Sequence, residues 1–353
     1  MKKTYLVIAG LVAAVLLWFL SGEKTNLQTE PDSKPKNDMN VPIVGQFPGT
    51  VTQPKTQVSA KPEATVHTSR QLSEAAQHVA IQYEQALKYP PYSQPLTEHD
   101  EDRLNPNHFY PVTSLVEGSE QPLSVKLSKY RYVYPEDILV EVTGPNLKQV
   151  ELRLVDIDTQ QEYASTTLQS SPFEGHFKGE KQFPRALQLV ANVKLEKQKV
   201  PVVAQFQYMQ PSAKIVSVKG VYPQNENMII ELNLAVSNPG IYRLRANLFT
   251  NDGQPLAHLV SKEKLSKGSQ SMMLKAHWSV LRPNTANMLL SGFVIERMSP
   301  SPAEPASYGN SEIKTFEIKD FAFDSLQQLP YNASSEEQQS LEFLRQLASD
   351  GNL

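Results

Sequence analysis

The sequence predicts a mainly β protein: two tandem immunoglobulin-like β-sandwiches with an N-terminal transmembrane helix, a disordered tether and short flanking helices. Three observations carry that expectation. From residue 122 onward apolar residues recur at every second position in short runs, the pattern of strands with one buried face. Turn chemistry separates the runs, and 26 prolines against 15 glycines favour turns, edge strands and extended linkers over helical bundles. The 353 residues include no cysteine, so an exported core has to be held by apolar packing without disulfide staples.

Residues 1–22 set the solvent for the rest. Lys2 and Lys3 precede a run from Tyr5 to Leu20 that holds no charge or amide side chain. At about 1.5 Å per residue that run covers roughly 24 Å as a helix, and Thr4, Ser21 and Gly22 extend it to about 28 Å. A bilayer core of about 30 Å accepts such a span with little tilt. Trp18 and Phe19 fall near the outer end, where aromatic rings favour the headgroup level, and the lysines hold the amino terminus in the cytoplasm. The expectation is a signal anchor in a bacterial inner membrane, single-pass, with the bulk of the chain periplasmic. The competing reading is a cleaved signal peptide, whose n-region and h-region layout is also met. Leu20-Ser21-Gly22 matches the small-residue cleavage pattern poorly. No cysteine follows the run, which excludes a lipoprotein anchor.

Residues 23–68 are expected to form the tether. Pro31, Pro35, Pro42, Pro48, Pro54 and Pro62 interrupt a polar stretch with too little apolar surface to offset ordering entropy. It serves as a spacer or as an extended peptide for a partner. In residues 69–88, Leu72, Ala75, Ala76, Val79, Tyr83, Ala86 and Leu87 recur at helical spacing, and Pro90 and Pro91 stop the helix. Its single stripe suits docking on the following domain, or contact with a partner. The leader runs to residue 121. His99 stands among Glu98, Asp100, Glu101 and Asp102, but sequence neighbours on a helix point in different directions. The EF-hand pattern also fails. Thr97 with Asp100 instead predicts a short capped helix ending before Pro106.

The first sandwich is placed at 122–210. Leu123, Val125 and Leu127 alternate with polar residues, as do Ile138, Val140 and Val142. Val150, Leu152 and Leu154 follow the Gly144-Pro145-Asn146 turn, and Leu187 to Val193 and Val200 to Tyr208 complete the set. Tyr130, Tyr132 and Tyr134 share one face if 129–134 is a strand. They either pack along a sandwich edge or form an exposed binding row for a sugar or a protein.

The second sandwich is placed at 211–320. Met228 to Val236, Tyr242 to Leu248, Met272 to Trp278, and Phe316 with Ile318 supply its inward faces, and Asn251-Asp252-Gly253 marks a hairpin. Residues 299–308 read as a long surface loop. Val133-Tyr134-Pro135-Glu136-Asp137 echoes Val221-Tyr222-Pro223-Gln224-Asn225 at about one sandwich length, consistent with a duplicated module. In the tail, 321–353, Ser334 and Glu337 form a capping box ahead of a stripe of Leu341, Leu344 and Leu347, and Gly351 can terminate the helix. Asn332-Ala333-Ser334 matches a glycosylation sequon by spacing alone.

Chemistry is harder to find. A net charge of -3 supplies no field for nucleic acid. Nucleophile elbow, Walker loop, H-E-x-x-H and dinucleotide fingerprint are all absent. The seven histidines, His67, His78, His99, His108, His176, His258 and His277, include no i, i+4 pair. His258 and His277 read as hydrogen-bonded structural residues within strands. Phe173-Glu174-Gly175-His176-Phe177 places a carboxylate beside a histidine, most simply at a hairpin tip. No catalytic, cofactor or metal site is expected.

The stretch 89–107, and the runs Asn251-Asp252-Gly253-Gln254-Pro255-Leu256 and Leu265-Ser266-Lys267-Gly268-Ser269-Gln270, resemble uncharacterised exported gammaproteobacterial proteins with immunoglobulin-like accessory modules of choice-of-anchor type. The resemblance implies an envelope β module with no catalytic residues. The expected role is a non-enzymatic adaptor that presents two sandwiches to an envelope protein partner. Sheet edges and the face of Tyr130, Tyr132 and Tyr134 would make the contacts. The alternatives are a glycan-binding or surface accessory module released after signal cleavage, and a hydrolase with a dispersed site.

Overall fold

The computed structural model describes residues 64–196, 198–281 and 286–350. The expected anchor at 1–22 and the tether as far as residue 63 lie outside the described residues. Residues 64–68, assigned to the tether from composition, belong instead to a helix that no proline interrupts after Pro62. Among the described residues no helix is long and apolar enough to cross a membrane.

The chain opens with helix α1 (Ala64–Ala86), strand β1 (Ser93–Pro95) and helix α2 (Glu101–Leu104). Next come β2 (Val112–Ser114), β3 (Leu123–Leu127), β4 (Arg131–Val133), β5 (Ile138–Thr143) and β6 (Gln149–Asp156). Then follow β7 (Glu162–Leu168), β8 (Glu174–Phe177), β9 (Ala186–Lys194) and β10 (Lys199–Met209). The second half contains β11 (Ala213–Gln224), β12 (Asn227–Val236), β13 (Gly240–Thr250), β14 (Pro255–Leu265) and β15 (Gly268–His277). It ends with β16 (Met288–Arg297), β17 (Ser307–Tyr308), β18 (Asn310–Ser311), β19 (Thr315–Ile318) and helix α3 (Ser335–Asp350).

These strands build four sheets around two cores. A five-stranded sheet, β4-β10-β9-β6-β7, shares one core with a four-stranded sheet, β2-β3-β5-β8. A six-stranded sheet, β1-β14-β13-β16-β17 with β19 also on β16, shares the other with β15-β12-β11-β18. Alternation decides which side chains enter. In β5, Ile138, Val140 and Val142 are buried while Leu139, Glu141 and Thr143 are exposed. In β13, Tyr242, Leu244, Ala246 and Leu248 face the core and leave Arg243, Arg245 and Asn247 on the outer face. Each fully buried aliphatic or aromatic side chain contributes about 1.5–3 kcal/mol of transfer free energy.

Turn chemistry sets the register as expected at residues 251–253. Gly253 has a φ of +87°, which its missing Cβ permits, and Thr250 N donates to Gln254 O at 2.8 Å to close the loop. The tail helix starts on the expected capping box. Glu337 N donates to Ser334 Oγ at 3.2 Å, and Ser334 N donates back to Glu337 Oε2 at 2.7 Å.

Three local expectations change. Phe173–Phe177 is no hairpin tip: residues 174–177 form β8, paired to β5, and His176 Nε2 meets Asp137 Oδ2 at 2.8 Å rather than Glu174. The α1 stripe is kept at Ala76, which is buried, and at the half-buried Val79, Tyr83 and Leu87; Ala75 and Ala86 stay exposed, while the buried Ser73 and Ala80 join it. Those small residues admit the tail helix closely: Ser73 Oγ donates to Ala348 O at one end, and Tyr83 meets Ser340 at the other, so α1 and α3 run antiparallel.

The third change concerns the leader, which precedes the first module in sequence but joins the second in space. Ser93–Pro95 pairs antiparallel with residues 257–259 of β14. Ser93 Oγ accepts from the buried His277 N at 3.0 Å, and Tyr92 Oη donates to Asn227 Oδ1 at 3.0 Å. The chain therefore enters the second module, leaves to build the first, and returns through Ser212.

Candidate functional site

The crossing of the leader creates a cleft. Residues 97–108 lie over the outer face of the six-stranded sheet, where Asn247 Nδ2 donates to Arg103 O at 2.7 Å. That cover explains why Asn247, an outward residue of β13, is only 2% exposed. Thr97 N donates to Asp100 Oδ2 at 2.8 Å, but α2 starts later than expected, at Glu101 with Asp100 as an N-cap that makes no side-chain cap bond; it ends before Pro106 as expected. Asn107 then clamps β4 of the first module. Arg131 N donates to Asn107 Oδ1 at 2.7 Å, and Asn107 Nδ2 donates to Arg131 O at 2.7 Å.

From the other side the loop after β16 reaches across. Arg185 Nη2 donates to Ala306 O at 2.6 Å, and Asn310 Nδ2 donates to Tyr134 O at 3.4 Å. Gly309 lets this segment pass: a Cβ there would collide with Ala213 O. Tyr308 is thereby set under the guanidinium of Arg131, whose Cζ lies 4.4 Å from the ring centroid. The residues 299–308 read as a surface loop thus end in contact with the first module.

Between these elements lies a cleft of about 600 Å³ lined by Glu101, Asp102, Asn105, Pro106, His108, Tyr110, Arg131, Arg245 and Tyr308. Arg243 and Arg131 lie close enough to Arg245 to oppose its charge. Arg245 Nη2 is paired to Glu296 Oε2 at 2.9 Å, and burial holds its pKa below the ordinary arginine value. Its Nε is buried with no acceptor. Arg131 Nη2 donates to Pro106 O at 2.8 Å, and among the described residues no carboxylate pairs with Arg131 or Arg243. Glu101 and Asp102, also in the lining, stay exposed. Tyr110 is 72% exposed, with His108 edge-on at 4.8 Å between ring centroids. The site can therefore donate hydrogen bonds from its arginines, accept them on its carboxylates, and offer an aromatic face.

Behind the cleft, His258 Nδ1 meets Asn247 Oδ1 at 2.7 Å. Since Asn247 Nδ2 is already donating to Arg103 O, the imidazole is the donor. Burial, with Arg103 and Arg245 nearby, pushes its pKa down to about 4, so it is neutral at pH 7. The expected structural reading of His258 fits this geometry. Among the described residues no group of three or more His, Asp or Glu could hold a metal ion.

The three tyrosines singled out from sequence do not form a row. Only residues 131–133 are strand, and Tyr132 is 0% exposed, edge-on to Phe206 with ring centroids 5.5 Å apart. Its Oη meets Ser128 Oγ at 2.9 Å and accepts from Lys129 N at 3.2 Å. Tyr130 is 41% exposed, and Tyr134 is half-buried with its carbonyl at the module junction. Packing, the first of the two readings, describes Tyr132. The sheet edges are also more guarded than alternation alone implies. On β15, Met273 N is met by Glu263 Oε1 at 3.5 Å and His277 N by Ser93 Oγ. β1, β2, β4 and β18 are two or three residues long, which leaves β7 as the longer open edge.

Sequence reasoning missed Arg131, Arg245, Tyr110 and Tyr308. One signal was present: Arg243 and Arg245 are charges at alternate positions of a strand, hence neighbours on an outer face.

No protein-family model matches the chain, and no curated protein matches its sequence. Among solved structures the chain is similar to a DUF4785 family protein from Legionella pneumophila, at 18% identity and a TM-score of 0.37 over 51% of this chain and 53% of that one. It spans about half the length of that protein. It is also similar to the BSP domain of a biofilm associated protein, at 9% identity and a TM-score of 0.22 over 56% of this chain and 30% of that one. A third similarity is to a 1.5-MDa bacterial ice-binding adhesin, at 11% identity and a TM-score of 0.21 over 59% of this chain and 66% of that one.

Proposed function

We propose that this chain is a non-enzymatic binding protein of the bacterial envelope whose two β modules, each a sandwich of immunoglobulin type, present the cleft between them to another envelope component. In this reading residues 1–22 hold it in the inner membrane, amino terminus in the cytoplasm and modules in the periplasm, with residues 23–63 as the tether. The carrying observation is the cleft, built jointly by the leader, the first module and the second, with Tyr110 and two arginines on its walls. A ring left so exposed in a cleft that Arg131, with no carboxylate partner among the described residues, also lines suits contact with a partner that is partly apolar and partly polar.

The test places a photo-crosslinking residue at Tyr110 in the full-length chain, in intact envelopes, with Val203 on the outer face of β10 as reference; Val203 is 43% exposed. A discrete adduct from position 110 that is absent from position 203 is expected. No adduct, or the same adduct from both positions, overturns the reading. Alkaline carbonate extraction with an intact mass checks the anchor: retention in the membrane pellet with residues 1–22 present is expected, and a soluble chain beginning near Glu23 removes it.

A further inference from the structure

We infer that the cleft binds a saccharide carrying a carboxylate, a sugar of uronic-acid type, with its carboxylate on Arg131 and Arg245 and its hydroxyls on Glu101 and Asp102. This rests on the reading of the cleft as the binding site. The argument starts from charge. Arg131 and Arg245 both line the cleft; Arg245 holds Glu296 at 2.9 Å, whereas Arg131 meets no carboxylate among the described residues and is open to one from a ligand. Arg245 is largely withdrawn from water and its buried Nε has no acceptor, so an anion that reached this donor would be held more strongly than at the surface. A guanidinium also matches a carboxylate with two parallel donors.

The acidic residues of the lining narrow the class. Exposed Glu101 and Asp102 would repel a ligand that is anionic throughout, such as an acidic peptide. Ionised carboxylates only accept hydrogen bonds, so they match a ligand that brings several O–H donors. A sugar acid brings a carboxylate for the arginines and hydroxyl donors for the carboxylates, which matches this mixed lining. Tyr110 supplies a ring face for the C–H face of a pyranose. The volume of about 600 Å³ lies within the usual range for small-ligand sites.

Calorimetric titration of the full-length chain in detergent uses three probes: digalacturonic acid, neutral galactobiose and a tetraglutamate peptide. Digalacturonic acid is expected to bind at least about tenfold more tightly than either of the others. Arg131→Met and Tyr110→Ala are each expected to weaken it at least about tenfold. Because the Tyr110 ring is exposed, its replacement leaves the cores intact and keeps the test valid if the arginine variant folds poorly. Equal binding of the acidic and neutral sugars, tighter binding of tetraglutamate, or indifference to Tyr110→Ala overturns the inference. If no probe binds while position 110 still crosslinks an envelope component, the sugar assignment falls and the cleft reading stands. If both fail, both fall.

Discussion

The guanidinium of Arg131 lies over the ring of Tyr308, 4.4 Å from its centroid, and so ties the first core to the second through side chains neither core contains. A cation on an aromatic face contributes about 0.5–2 kcal/mol depending on desolvation, and Arg131 also holds Pro106 O. Arg131→Met keeps the length and removes both interactions. Calorimetry is expected to show two separated unfolding transitions where the native chain shows one. A single transition at an unchanged temperature would mean the modules are coupled by other contacts.

Tyr132 is a core residue, so its truncation acts on stability before it acts on binding. Tyr132→Ala should cost about 3–5 kcal/mol, as for other large buried aromatics. Tyr132→Phe should cost about 1 kcal/mol by removing the hydroxyl between Ser128 and Lys129 N. Urea denaturation of the two variants checks the pair of values. Small effects from both would place the ring outside the core. Any surface role in this stretch is tested at Tyr130, which is 41% exposed.

Much of the β framework was legible because period two states which residues are buried: Leu123, Val140, Leu189 and Leu232 all sit where alternation put them. It does not state which strand lies beside which. Ser93-Gln94-Pro95 is too short to show a period, and its partner Leu259 lies far along the chain, so the docking of the leader on the second module carried no local signal. Tyr130, Tyr132 and Tyr134 misled for a related reason. Alternation assumes a strand throughout, and this one spans only three residues: Tyr130 turns out to solvent, while Tyr134 packs partly buried against the core that holds Tyr132. The cleft was hidden because its residues are polar, scattered and assembled by that same crossing.

Ser93 secures the crossing. Its hydroxyl accepts from His277 N in a spot where both residues are buried. Ser93→Ala leaves a buried donor without a partner, which costs about 1–3 kcal/mol. Ser165→Ala, on the exposed face of β7, should stay within about 0.5 kcal/mol. Chemical denaturation midpoints compare the two. An equal, negligible effect would show that water replaces the serine and that β1 does not fasten the leader.

His258 gives the molecule a pH slope with a defined sign. Its pKa in the folded chain is about 4, below the ordinary value of 6.5, because burial and the nearby Arg103 and Arg245 oppose its charge, while Asp100 offsets them only in part. Above about pH 6.5 the ring is neutral whether the chain is folded or not, and it adds no slope. Between about 6.5 and 4 the unfolded chain takes up a proton that the folded chain refuses, so stability falls as the pH falls; below about 4 both states are protonated and the slope ends. His258→Gln retains a donor for Asn247 Oδ1 and removes the titration. Thermal unfolding across that window should therefore fall less steeply for the variant than for the native chain. Identical slopes would show that His258 takes up its proton alike in the folded and unfolded chain, so that its surroundings do not oppose the charge.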